Sequence, residues 1–363
     1  MFYLLLAAVI LLLVVLGLLV RAQVLIDIFT KSSDKRAGFS NKINAILFPI
    51  FFVVGFSAFF YLSYTSSKYY LPDSASAHGV KTDQLFWLTT GIITIVFIAT
   101  HVLLFFFPYV YQYKETRKAL FYPVNHRLEA IWTVIPAIVL SLLVFTGWKV
   151  WSDITREAPA NAVQVEIVGK QFNWMVRYPG KDLTLGKHNF RKIDDLNEVG
   201  IDYADKAAFD DFIAGEVHIP VNQPVLFKIR ARDVLHSVFA PHFRLKMDAV
   251  PGMPTRFWFV PTKTTAEMRT QLGNPDFNYE IACTEICGRG HFGMRKLLVV
   301  HDEDEYKEWF NAQQSFLAKN PDYLKKVPDG LKKLAEESIL ENKKITGLAG
   351  SKKITTDNLA TAF

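Results

Sequence analysis

The chain has 363 residues and a formal net charge of +6; half of it is hydrophobic and 14% is aromatic, including 30 Phe. That is rich for a wholly soluble chain, and the apolar excess is concentrated early. The positive charge sits in short loops and in a Lys-rich tail, so it gives no ground for a nucleic-acid partner.

A bilayer core about 30 Å thick needs roughly 20 mostly apolar residues per helix. Four runs meet that length: FYLLLAAVILLLVVLGLLV (2–20), INAILFPIFFVVGFSAFFYL (43–62), LFWLTTGIITIVFIATHVLLFFF (85–107) and AIWTVIPAIVLSLLVFTGWKVW (130–151). No Lys or Arg precedes the first run and no small-residue cleavage site closes it, so it reads as a retained helix rather than a signal peptide. No run of that length follows Trp151, and the remainder is expected to be water-soluble.

Lys and Arg stay on the cytoplasmic side. The loop 21–42 carries Arg21, Lys31, Lys35, Arg36 and Lys42, and the loop 111–128 carries Lys114, Arg117, Lys118 and Arg127. The loop 65–84 has only Lys68 and Lys81. The first and third loops therefore face the cytoplasm, and the N-terminus and everything after Trp151 lie outside.

Residues 163–178 (VQVEIVGKQFNWMVRY) alternate apolar and polar, as do 216–231, 255–261, 278–283 and 296–301. Short strands separated by Pro and Gly turns suggest a β-sandwich or barrel. The stretch 181–215 interrupts them with Asp195, Glu198, Asp202, Asp205, Asp210 and Asp211, and reads as an acidic insertion of loop and short helix. From about 303 a helical tail begins and turns Lys-rich toward the end.

Both cysteines fall in CTEICGRGHFGM, residues 283–294, with His291 and Met294 close behind. An oxidising compartment makes a Cys283–Cys287 disulfide one reading. A structural zinc site is another, but it leaves Met294 without a role. Counting donors favours copper, which takes thiolate, imidazole and a weak axial thioether or backbone oxygen. The second imidazole must come from another strand, and His236 in DVLHSVFAP is the best candidate. A shared pair of thiolates can bridge two coppers, each with one His and one weak donor: Met294 for one, a backbone carbonyl near Glu285 for the other. Glycines 288, 290 and 293 let the loop fold tightly. Such a centre leaves no open position for a substrate and suits one-electron relay.

CTEICGRGHFGM, with DVLHS upstream and LKMDAVPGM (245–253) between, resembles the dicopper (CuA) domain of cytochrome c oxidase subunit II. LEAIWTVIPAIVL (128–140) resembles that family's second transmembrane helix. The resemblance implies a cupredoxin-like sandwich on a two-helix hairpin; with the two earlier apolar runs, the expected fold is four transmembrane α-helices followed by an all-β cupredoxin-like sandwich. The expected parts are two extra N-terminal helices (1–64), a subunit II-type hairpin (65–151), a periplasmic CuA domain (152–302) with the insertion 181–215, and a tail (303–363). It implies CuA ligand roles for His236, Cys283, Glu285 through its carbonyl, Cys287, His291 and Met294. It further implies a magnesium ion held partly by the Glu285 carboxylate at the interface with a subunit I carrying haem a and a haem–copper centre.

An acid at the place of Glu129 marks the entrance of a proton path in the family; read from the sequence alone, Glu129 is a carboxylate favoured by the positive end of a helix. The family's electron-accepting Trp is replaced, since GKQFNW puts Phe172 there and Trp174 two residues on. Electrons are then expected to enter at Trp174 or Phe172 from a cytochrome c, or a complex bearing one, on another chain, because no C-x-x-C-H is present. The expected setting is a bacterial inner membrane, with the two added helices packing against subunit I or a supercomplex. Three other readings fit less well. A nitrous oxide reductase-like enzyme would be soluble with a further His-rich copper domain, a quinol oxidase subunit II would lack the ligands, and a membrane-anchored copper store would need exposed, exchangeable ones.

Overall fold

The computed structural model describes residues 2–29 and 39–349, in two compact units. Lys31, Lys35 and Arg36, which bear on orientation, and the tail beyond Ala349 lie outside the described residues.

The first unit comprises residues 1–71 and 87–143. It holds α1 (Phe2–Phe29), α2 (Phe39–Ser66), and most of α3 (Ala77–Val110) and α4 (His126–Thr155). All four are long and apolar enough to cross a membrane. Pro49, Pro108 and Pro136 lie inside α2, α3 and α4, as membrane helices tolerate when neighbours re-satisfy the freed backbone groups. The α2 and α3 helices meet through rings, with Phe56 stacked on Phe97 at 5.4 Å and Phe51 against Phe105 at 5.5 Å. His101 sits in this aromatic seam, 4.1 Å from the Phe97 ring, and its Nδ1 donates to the Phe97 carbonyl at 2.7 Å. Its polar group is thus satisfied inside its own helix, which suits an imidazole in an apolar span.

The second unit comprises residues 72–86 and 144–363. Its strands are β1 (Val163–Lys170), β2 (Asn173–Tyr178), β3 (Phe212–Ala214), β4 (Val217–Pro220), β5 (Val225–Ala231), β6 (His236–Ala240), β7 (Leu245–Ala249), β8 (Thr255–Phe259), β9 (Tyr279–Cys283) and β10 (Arg295–His301). The helix α5 (Thr265–Leu272) lies between β8 and β9, and α6 (Glu303–Asn311), α7 (Phe316–Lys319) and α8 (Lys332–Ala349) follow β10. One sheet runs β3-β2-β1-β5-β8 and the other β4-β10-β9-β6-β7, with β1/β5 and β4/β10 parallel. Alternate residues meet between the sheets: Val165, Ile167, Phe227 and Ile229 from one, Val238, Ile281, Leu298 and Val300 from the other, all buried. The run 163–178 is thus a hairpin turning at Gln171 and Phe172, and β6 and β7 add two strands that the sequence pattern alone did not mark.

The first turns of α3 belong to this unit. Arg244 donates to the two oxygens of Asp83 at 2.6 and 2.8 Å, and Ser76 Oγ donates to the Phe243 carbonyl at 2.8 Å. His78 is buried here, with Nδ1 3.2 Å from the Trp258 carbonyl.

The stretch 181–215 is more than a loop with a short helix. It ends in β3, and Val199, Ile201, Tyr203 and Phe209 pack with Phe316, Leu317, Tyr323 and Ile339 from the tail, over Val168 and Met175 of the first sheet. This second core covers the sheet's outer face, which explains why β1 is buried on both sides. The acids of the stretch turn to internal partners: Asp194 to Tyr323 and Lys326, Asp202 to Lys192, Glu198 to Lys170. Beneath them, Glu166 accepts from Arg177 at 2.6 Å and Arg230 at 2.8 Å, and Arg177 also reaches Asp211 at 3.1 Å.

Burial alone would raise the Glu166 carboxyl, but Arg177 and Arg230 outweigh it and hold it near about 2 against an ordinary 4.5. Its ionised form therefore stabilises the fold fully above pH 4.5, and this contribution is lost as pH falls toward 2. Glu166→Gln should cost about 3–5 kcal/mol by leaving buried guanidinium charge unpaired. It should also flatten the acid side of the thermal unfolding midpoint plotted against pH.

Candidate metal centre

The end of β9, the start of β6 and the loop before β10 converge on one point. Cys283 closes β9, His236 opens β6, and Cys287, His291 and Met294 follow on the loop. His236, Cys283, Cys287 and Met294 are buried. The Cys283 and Cys287 sulfurs face each other at 3.9 Å, well beyond the roughly 2.05 Å of a disulfide bond.

The remaining donors divide between the two sulfurs. Cys283 Sγ has the Glu285 carbonyl at 3.2 Å and His236 Nδ1 at 3.9 Å. Cys287 Sγ has His291 Nδ1 at 3.5 Å and Met294 Sδ at 3.8 Å. Burial, then the adjacent Cys283, pushes the Cys287 thiol up to about 11. Without a bound cation that thiol keeps its proton at neutral pH, and a soft metal would displace it.

The surrounding framework uses the loop's backbone and leaves these donor atoms facing one another. Trp174 Nε1 donates to the Met294 carbonyl at 3.3 Å, and Gln171 Nε2 to the Cys287 carbonyl at 2.6 Å. Asp233, which the sequence did not single out, accepts from His236 Nε2 at 2.9 Å and from the Gln171 backbone N–H at 2.7 Å. A carboxylate only accepts, so the His236 proton sits on Nε2 and the Nδ1 lone pair is turned toward Cys283. The one available signal was its place three residues before His236.

Phe172 and Trp174 have different positions. Trp174 is 1% exposed and lies edge-on to His236, whereas Phe172 is 40% exposed over the metal loop. A Cβ on Gly290 would come within 2.6 Å of the Phe172 ring, and one on Gly288, at φ +135°, within 2.9 Å. Gly293, by contrast, borders open space, so the tight fold of the loop needs only the other two. Glu285 presents its carbonyl inward and leaves its side chain exposed. His242 lies apart, edge-on to the rings of Phe277 and Tyr279. His218 and His301, on β4 and β10, hydrogen-bond each other at 2.8 Å away from the two sulfurs. Glu129 is in the first turn of α4, in the other unit, 3.1 Å from His126 Nδ1.

Fold and donor set together define a membrane-anchored, cupredoxin-like sandwich with a two-sulfur site for a soft metal. The transmembrane domain family of cytochrome c oxidase subunit II matches residues 64–150, and the periplasmic domain family of the same subunit matches 163–301. An alternative cytochrome c oxidase subunit 2 of Bradyrhizobium diazoefficiens is 35% identical over 235 residues, covering 64% of this chain and 78% of that protein. A cytochrome c oxidase subunit 2 of Thermostichus vulcanus is 28% identical over 270 residues, covering 68% and 79%. Among solved structures, the periplasmic domain of subunit II of cytochrome oxidase from Bradyrhizobium japonicum is 23% identical with a TM-score of 0.29, covering 42% of this chain and 94% of that one. The chain belongs to the cytochrome c oxidase subunit II family, and is part of an oxidase enzyme complex of the membrane.

The His236 ring packs against Gly169, where an added Cβ would lie 2.7 Å from His236 Cδ2. Gly169→Ala should therefore displace the imidazole and cost about 1–3 kcal/mol in thermal unfolding, whereas Gly293→Ala should leave the unfolding midpoint within about 0.5 kcal/mol of the parent.

Proposed function

We propose that His236, Cys283, Cys287, His291, Met294 and the Glu285 carbonyl hold a binuclear copper (CuA) centre, through which electrons from a cytochrome c reach haem in subunit I for the reduction of O2 to water. The observation that carries this reading is the division of donors: each sulfur has its own imidazole and its own weak donor. Bound there, a copper pair supplies reversible one-electron exchange. The buried His236, Cys283, Cys287 and Met294 would shield such a pair from water, and Asp233 and Trp174 fix the His236 ring and the loop in place. Little has to move when charge arrives, because the ligands sit on strand ends and a braced loop.

Phe172, half-exposed over the metal loop, takes the role of electron acceptor at the surface, and the buried Trp174 lies edge-on to His236. Ile286 and Phe292, both exposed on the same loop, add an apolar surface for a transient donor. Glu129 marks the start of a proton path, and the exposed Glu285 carboxylate is available to a magnesium ion shared with subunit I. The chain sits in a bacterial inner membrane with the N-terminus and sandwich on the periplasmic side, which accords with the loop charges and the periplasmic-domain match. The two helices before the family's hairpin, α1 and α2, give it added surface for subunit I or a supercomplex. No observation favours a nitrous oxide reductase-like enzyme or a copper store.

The purified chain, loaded with copper, should carry two metal atoms, and Cys283→Ser or Cys287→Ser should remove that signal and oxidase turnover while membrane insertion persists. A copper-free variant with normal electron flow would defeat the reading. Asp233→Asn should weaken copper affinity about 10–100-fold, as loss of a ligand's hydrogen-bond partner does elsewhere. A competition titration against a copper chelator measures it.

A further inference from the structure

The outer face of the first sheet carries a row of charge that the copper site does not use. In register across four strands stand Arg177 on β2, Glu166 on β1, Lys228 on β5 and Arg256 on β8. Glu166 is already engaged by Arg177 and Arg230. Lys228 and Arg256 are therefore neighbouring like charges on adjacent strands, an arrangement that destabilises a sheet when nothing lies between them. Among the described residues Lys228 has no ion pair, and Arg256 has only a loose one, 4.0 Å from an exposed Glu157.

These side chains line a cavity of about 560 Å³, walled by Leu185, Gly186 and His188 of the stretch 181–215. Arg230 lies on its floor and also borders a second basin of about 370 Å³ that adds Arg232. Glu166 and Asp211 answer Arg177 and Arg230, so Lys228 and the loosely paired Arg256 are the surplus positive charge in a recess large enough for a small molecule. Guanidinium forks suit phosphate oxygens, and a lysine serves as a point charge beside them.

We propose that this recess binds a phosphate-bearing anion of pyrophosphate size or larger, held between Lys228, Arg256 and Arg230, with His188 at its wall. The shared chemistry is a phosphate ester or anhydride, supplied either by a free solute or by an anionic lipid headgroup.

The test uses the full-length protein in detergent and in lipid discs. Inorganic pyrophosphate and adenosine triphosphate are titrated by calorimetry against chloride at matched ionic strength. In parallel, discs of phosphatidylglycerol are compared with discs of phosphatidylcholine by thermal unfolding. Saturable pyrophosphate or nucleotide binding that weakens at least tenfold in Lys228→Gln/Arg256→Gln supports a free solute. A stabilisation specific to phosphatidylglycerol and lost in the same variant supports a headgroup. Without ligand, the variant should unfold no earlier than the parent, because the like-charge pair is relieved, and its copper content should match. Equal behaviour of variant and parent in both arms, or a signal that chloride removes at matched ionic strength, overturns the proposal.

Discussion

Two unbonded sulfurs held 3.9 Å apart in a buried pocket are the constraint around which the sandwich is arranged. Thiols, imidazoles and a thioether gathered in a buried pocket are poorly satisfied by one another, because none is a strong partner for the rest. What keeps them together is the backbone around them: β9 delivers Cys283, β6 delivers His236, and hydrogen bonds to the carbonyls of Cys287 and Met294 brace the loop from outside. The framework satisfies its own peptide groups and leaves the soft donors pointing inward, a preorganised set that asks for a cation.

The β1–β2 turn is the second half of that arrangement. Gly169, Gln171, Phe172 and Trp174 come from one hairpin of the opposite sheet, and each touches the site in a different way. Gly169 makes room for the His236 ring, Gln171 ties the loop, Trp174 backs both, and Phe172 roofs the two glycines that allow it to lie flat. The copper-type loop and the aromatic hairpin are thus parts of one object, although the chain separates them widely.

What was legible in the sequence follows from how local the physical demand was. A bilayer demands a continuous apolar run, so four helices were plain, whereas their ends were not, because the first turns of α3 are fixed by Asp83 and Arg244 rather than by lipid. The donors near Cys283 were readable because thiolate, imidazole and thioether cluster within a few residues, and His236 because a second imidazole had to come from elsewhere. Asp233 was not, since an aspartate before a histidine is ordinary until the strand turns its carboxylate onto Nε2. Gly293 was grouped with its neighbours because spacing cannot show which glycine a ring will press upon. The strand β6 is buried at four of its five positions and so shows no alternation, and Val199, Ile201, Tyr203 and Phe209 lie in a stretch whose acids mask them.

That last misreading has a structural corollary. The stretch 181–215 and the tail through α8 share a single apolar interior laid over Val168 and Met175, and the Asp194–Tyr323–Lys326 contacts seal its edge. Each piece supplies part of that interior. The two elaborations on the sandwich therefore behave as a single two-part accessory, separated in the gene and joined in space, and a lineage that shed one would be left with a sticky bare flank until it shed or replaced the other.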